Sequence, residues 1–127
     1  MRMKNSEVIT KMSALADIIN RKERYPVKFS FALSKNARAL ETASRDFVEA
    51  RKGILDECNV KDESGSPAYR TTGKIEIAEP YRAVFRESMD ELLEIEVEVP
   101  VHTVNVSVLD GLDIEPDILY TCDFMFE

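Results

Sequence analysis

The stretch PVKFSFALSKNARALETASRDFVEARKGILDEC, residues 26–58, decides how the rest of the chain must be built. No proline follows Pro26 until Pro67, and Gly53 is the only glycine in residues 26–58. Leu33, Ala37, Leu40, Phe47, Ile54 and Cys58 fall on a heptad-like apolar seam, interrupted by the polar Ser44 and Arg51. Pro26 suits the first position of a helix, where its missing N–H costs nothing. The pattern predicts one long helix, too long to be covered by a single short partner. Arg51 on the seam has two readings: a satisfied charge at the core edge, or a cation pointing into a binding cleft.

Upstream, Asn5-Ser6-Glu7 reads as a helix start, and Val8, Met12, Leu15 and Ile19 form one apolar stripe. This first helix is expected to run to about Arg21, with the basic cluster RKER (21–24) at its C-terminal, electronegative end. Residues 1–59 therefore read as a helical hairpin. KDESGSPAYRTTG (61–73) has turn chemistry and no apolar period, which predicts a loop over 60–73. Residues 74–127 read as a helix plus a sheet: a short strand at Lys74–Ile77, a third helix opened by Pro80, and strands over 94–108. Glu94-Ile-Glu-Val-Glu-Val99 alternates strictly, with Ile95, Val97, Val99 and Val101 on one face and Glu94, Glu96 and Glu98 on the other. Val104, Val106 and Val108 alternate again after Pro100. Asp110-Gly111 is a turn, Pro116 opens a short helix over 116–121, and the terminal FMF reads as buried. Helices first and strands later make an α+β fold, with a long N-terminal helical hairpin, a third helix and a small C-terminal antiparallel sheet.

A chain of 127 residues is most simply a single domain, 1–127, and buries about two-thirds of its unfolded surface. Its composition, 44% hydrophobic and 32% charged, argues against disorder. The longest apolar runs cover only a few residues, so no membrane span is expected. The charged N-terminus MRMKNSEVITKM lacks a secretory apolar core, and the expected location is cytoplasmic. Cys58 and Cys122 lack metal-ligand or redox spacing and read as reduced thiols, with no metal or cofactor expected. The net charge of −7 is segregated: residues 1–58 sum to +4 and residues 59–127 to −11. From Glu87 onward there is no Lys or Arg. That distribution excludes a uniformly basic nucleic-acid binder, so no direct nucleic-acid binding is expected. It is compatible either with the two halves facing each other, within or between subunits, or with a solvated acidic face.

The catalytic inventory is thin. His102 is the only histidine and lies in an alternating segment. The glycine-rich phosphate loops are absent. Asp110, Asp113, Glu115 and Asp117 cluster without the EF-hand pattern. The chain does not read as an enzyme.

EPYRAVFRE (79–87) is the unusual stretch. Tyr81 and Phe85 each precede an arginine, and Arg82 and Arg86 repel one another four residues apart, at a cost of about 0.2–0.5 kcal/mol on an isolated helix. In one reading the rings are core residues, and the arginines pair with Glu79 and Asp90. In the other, the rings stack on a base and the arginines hold an anion; stacking is worth about 1–3 kcal/mol per base, several times the repulsion. The candidate ligand-binding residues are Arg82, Phe85, Arg86, Tyr81, Arg51, Met89 and Asn105, the last as a reader of a base edge or ribose.

PVKFSFALSKNARALE (26–41), KDESGSP (61–67), MDELLEIEVEV (89–99) and IEPDILYTCDFMFE (114–127), in this order, resemble a family of small phage-encoded proteins of unassigned function. The layout of long N-terminal helices and a C-terminal sheet is also similar to that of the Thoeris anti-defence sponges. That resemblance implies a homo-oligomer in the host cytoplasm that binds and sequesters a cyclic nucleotide immune signal, a small anionic nucleotide, without degrading it. It assigns no site residue here. Two further readings stay open: the acidic strip from Glu87 as a polyanion mimic that occupies the basic groove of a host nucleic-acid-binding defence enzyme, and a phage structural or assembly protein in which the helical seam matters.

Overall fold

The computed structural model describes residues 1–127. The chain is α+β and mostly helical, with a single two-stranded antiparallel sheet. Strand β1 is Arg2–Lys4, followed by helices α1 (Asn5–Ile19), α2 (Val27–Cys58), α3 (Tyr69–Thr72) and α4 (Arg82–Glu94), strand β2 (Glu96–Glu98) and helix α5 (Pro116–Thr121). No helix is long and apolar enough to cross a membrane. Two compact units are present: Met1–Ser44 with Glu96–Glu127, and Arg45–Ile95. Helix α2 contributes to both.

In the first unit the core is formed by Met3 from β1, Val8, Leu15 and Ile18 from α1, and Phe29, Ala32, Leu33 and Leu40 from α2. Val99, Val104, Leu109, Ile118, Cys122 and Met125 from the C-terminal segment complete it. The apolar seam of α2 is real, and Ser44 sits on it buried, its hydroxyl donating to the Glu41 carbonyl at 2.7 Å. Phe29 anchors the cluster, edge-on to Tyr25 at 5.4 Å and stacked on Phe126 at 6.2 Å. On α1 the stripe turns at its last step: Ile18 is buried and Ile19 is 41% exposed, so the helix follows the i+3 neighbour of Leu15. The helix stops at Ile19, short of Arg21, and its start is held by Glu7, whose carboxylate accepts the Lys4 amide at 3.2 Å.

The sheet is not a C-terminal meander. Glu96–Glu98 pairs with the N-terminal strand, in the register Arg2↔Glu98, Met3↔Val97, Lys4↔Glu96. Met3 is buried on one face, while the other sets Arg2 and Lys4 against Glu96 and Glu98, opposite charges across the pair. The Arg2 Nε donates to Glu96 at 3.2 Å, and the N-terminal amine to Glu98 at 2.7 Å. Arg21 similarly reaches Asp17 at 3.1 Å, Asp117 at 2.7 Å and Glu115 at 3.5 Å. In this unit, then, part of the basic N-terminal half meets the acidic C-terminal part within one chain.

The expected strand over 104–108 is absent. Val104 makes one parallel bridge to Phe126, and Val106–Leu109 is a 3₁₀ turn. The cause is local: Asn105 accepts the Ser107 amide at 2.9 Å, which closes a turn that competes with a strand. Val106 is consequently 47% exposed. Ile95, expected on the apolar strand face, is 52% exposed because β2 begins after it.

In the second unit the buried apolar side chains are Phe47, Leu55, Cys58, Pro67 and Leu92. The expected strand at 74–77 is an extended segment with one bridge, Asn59↔Ile77. Asn59, buried, accepts the Glu76 amide at 2.8 Å, while the Ala78 amide reaches the Cys58 carbonyl at 2.9 Å. The loop after α2 is organised by Asp62, whose carboxylate accepts the Ser64 and Ser66 amides at 2.9 and 3.0 Å, with Gly65 at φ 84° closing the turn. Contrary to the all-loop expectation, it ends in the single helical turn α3, terminated by Gly73 at φ 72°.

Candidate functional site

Pro80 opens a 3₁₀ turn, Glu79–Tyr81, that leads directly into α4. From its first residue α4 presents Arg82, Phe85, Arg86 and Met89 at intervals of three, one and three, which places all four on one helical face. That face lines an open groove of about 530 Å³, together with Glu76, Ile77 and Asp90. Four of the seven candidate residues are thus brought together. Phe85 and Met89 are half-buried, so each offers an apolar surface at the groove while remaining anchored.

Neither arginine is engaged. The pairs expected of a purely structural helix, Arg82 with Glu79 and Arg86 with Asp90, are not formed, and both guanidinium groups are exposed. The charges lining the groove are Arg82, Arg86, Glu76 and Asp90, formally balanced. Such a set suits a ligand that carries both anionic oxygens and hydrogen-bond donors better than a bare anion. Guanidinium forks match phosphate, and carboxylates accept from hydroxyl or amino groups. No His, Cys, Ser or Thr lines the groove.

The other three candidates lie elsewhere. Tyr81 is 42% exposed and does not line the groove. Arg51 lines a different hollow, with Val48, Lys52, Leu55, Tyr69 and Arg70. Asn105 belongs to the other unit, where its side chain is occupied in capping the turn at Ser107. Glu76, Ile77 and Asp90 were not anticipated at the site. The signal for the first two was the Lys74–Ile77 alternation, which marks an extended wall beside the helix; Asp90 is the i+4 neighbour of Arg86.

His102 is half-buried and edge-on to Phe31 at 5.3 Å. Both cysteines are free and buried. Burial pushes the Cys58 thiol up and that of Cys122 to about 11. No known protein family, curated protein or solved structure matches the chain.

Proposed function

We propose that this protein binds a small anionic nucleotide in the Arg82–Phe85–Arg86–Met89 groove and holds it without degrading it. Following the resemblance in layout to the Thoeris anti-defence sponges, the ligand is a cyclic nucleotide signal of bacterial immunity, and the protein is a phage anti-defence sponge working as an oligomer in the host cytoplasm. The single observation that carries the reading is the pair of unpaired, like-charged guanidinium groups on one helical face, flanking a half-buried ring. Their mutual repulsion costs about 0.2–0.5 kcal/mol on an isolated helix, and neither forms an ion pair with the groove carboxylates Glu76 and Asp90. A base on Phe85 contributes about 1–3 kcal/mol. The phosphates then supply the ion-pair partners that the two arginines lack, while Glu76 and Asp90 accept from ribose or base donors.

An oligomer fits the apolar side chains left on the surface, among them Val27, Phe31 and Tyr120, which are 84%, 56% and 87% exposed. The polyanion-mimic reading is less well supported, because Glu96 and Glu98 are already engaged by Arg2 and the N-terminal amine.

Calorimetric titration with a panel of cyclic nucleotides tests the proposal. Binding is expected for at least one, lost in Arg86→Ala, with the nucleotide recovered intact by chromatography. Absence of heat with every member of the panel, or a heat in Arg82→Ala/Arg86→Ala equal to that of the parent, rejects it.

A further inference from the structure

The second hollow of the Arg45–Ile95 unit has a different chemistry. It encloses about 370 Å³ and is lined by Val48, Arg51, Lys52, Leu55, Tyr69 and Arg70. None of these residues lines the Arg82–Arg86 groove. Val48 and Arg51, Arg51 and Leu55, and Val48 and Lys52 are three or four apart on α2, so one face of the helix supplies two apolar and two cationic side chains. The opposite wall is α3, a single turn too short to hold its own position by helical hydrogen bonding. Asp56 fixes it. One carboxylate oxygen accepts the Tyr69 hydroxyl and the other the Arg70 guanidinium. The same carboxylate therefore aims a ring and a fork together, and the charge it spends is on Arg70 alone. Arg51 makes no ion pair, and Lys52 acts on Asp56 only through its field.

The charge balance sets this hollow apart. Its lining has three cations, one of them, Arg70, paired with Asp56 beside the lining, which leaves an excess of two positive charges in a protein of net charge −7. The neighbouring groove is balanced; this one is not. Two unpaired cations, Arg51 and Lys52, with the Asp56-held Arg70 and a phenol ring, over an apolar floor of half-exposed Val48 and buried Leu55, are complementary to a group of more than one negative charge joined to a planar or apolar body.

We infer that the Val48–Arg70 hollow is a second ligand site, specific for a small phosphate ester or diphosphate with a planar body, with Arg51, Lys52 and Arg70 on the phosphates and Tyr69 against the plane. This inference does not depend on the function proposed for the α4 groove.

The test uses the full chain and adenosine 5′-diphosphate as the probe. Its binding is followed by calorimetry and by the arginine Nε–Hε resonances in nitrogen–proton spectra. The resonances of Arg51 and Arg70 are expected to shift on titration. Affinity should fall at least about tenfold in Arg51→Ala/Lys52→Ala, since each lost charged contact commonly costs a factor of this order. The exchanges are helix-compatible and exposed, so folding is retained and is checked by circular dichroism. Arg82→Ala/Arg86→Ala should leave the Arg51 and Arg70 shifts intact. Unshifted Arg51 and Arg70 resonances, or undiminished affinity in Arg51→Ala/Lys52→Ala, overturn the second site whatever happens at Arg82 and Arg86. Loss of binding only in the α4 double variant places the probe in the first groove and rejects this inference while leaving the first reading standing.

Discussion

Asn36, buried in the first third of α2, exchanges two hydrogen bonds with the backbone of His102: its amide nitrogen donates to the His102 carbonyl at 2.8 Å, and its amide oxygen accepts the His102 N–H at 2.7 Å. A side chain thus takes the place of a neighbouring strand. The extended segment after Pro100 has no strand partner at this point, and Asn36 satisfies both of its polar groups. Asn36→Ala strands an N–H and a C=O together and is expected to destabilise the protein by about 2–4 kcal/mol. Asn36→Asp keeps the shape but cannot donate and buries a charge, so it should be no better. Urea midpoints at constant m-value give the comparison; a loss below about 0.5 kcal/mol in both variants would refute the role.

Arg82 and Arg86 separate function from stability. Removing one of two unpaired like charges on an exposed helix face relieves repulsion, and Ala is the better helix former. Arg86→Ala should therefore be as stable as the parent, or up to about 0.5 kcal/mol more stable, while losing nucleotide binding. Thermal melts alongside calorimetry will show it. A clearly destabilised Arg86→Ala would mean that the guanidinium has a structural partner.

Asp56 predicts a definite response to acid. The Tyr69 hydroxyl first, and then Arg70, hold its carboxyl below the usual carboxylate range. The folded pKa is depressed, so as pH falls below about 4 the unfolded chain takes up the proton first. The contribution of Asp56 to stability is present above that pH and is lost as pH falls through the folded value. Tyr69 is shifted the opposite way, raised mainly by Asp56. Its contribution is present below the ordinary tyrosine value and is lost as pH rises through the folded one. Asp56→Asn should flatten both limbs of the stability–pH profile. Carboxyl and phenol titrations by NMR in the two proteins measure each shift; an Asp56 that titrates at its model-peptide value contradicts the account.

The two thiols report on the two units separately. Cys122 lies in the first and Cys58 in the second, and both are buried with raised pKa values. For Cys122, with a value of about 11, only about a thousandth is thiolate at pH 8 in the closed state. Labelling by a disulfide reagent should proceed through opening of the surrounding structure. In Cys58→Ser and Cys122→Ser variants the remaining thiol is expected to react at least about 100-fold more slowly than in the urea-unfolded chain. Rates near the unfolded value would show that the thiol is accessible without opening.

What the sequence by itself determined was local. The run from Pro26 to Cys58 had to be one helix, because nothing in it breaks the backbone and its apolar residues keep a helical period. Pro116 likewise placed α5 over 116–121, and the four-residue spacing of Arg82 and Arg86 put those two side chains on one face. These outcomes depend on residues within a turn or two of each other. Tertiary structure decided the rest. Val104–Val108 alternates as well as Glu94–Val99 does, yet only the second region forms a strand, because Arg2 and Lys4 stand opposite its glutamates while Asn105 diverts the first into a turn. Arg51 and Asn105 were legible as candidates but not as absentees from the Arg82 groove. Conversely, Glu76 and Ile77 became its wall only because Asn59, 17 residues before Glu76, holds that segment in place. Which distant segment supplies the partner is settled by competition among contacts across the whole chain, and periodicity along the backbone carries no record of that competition.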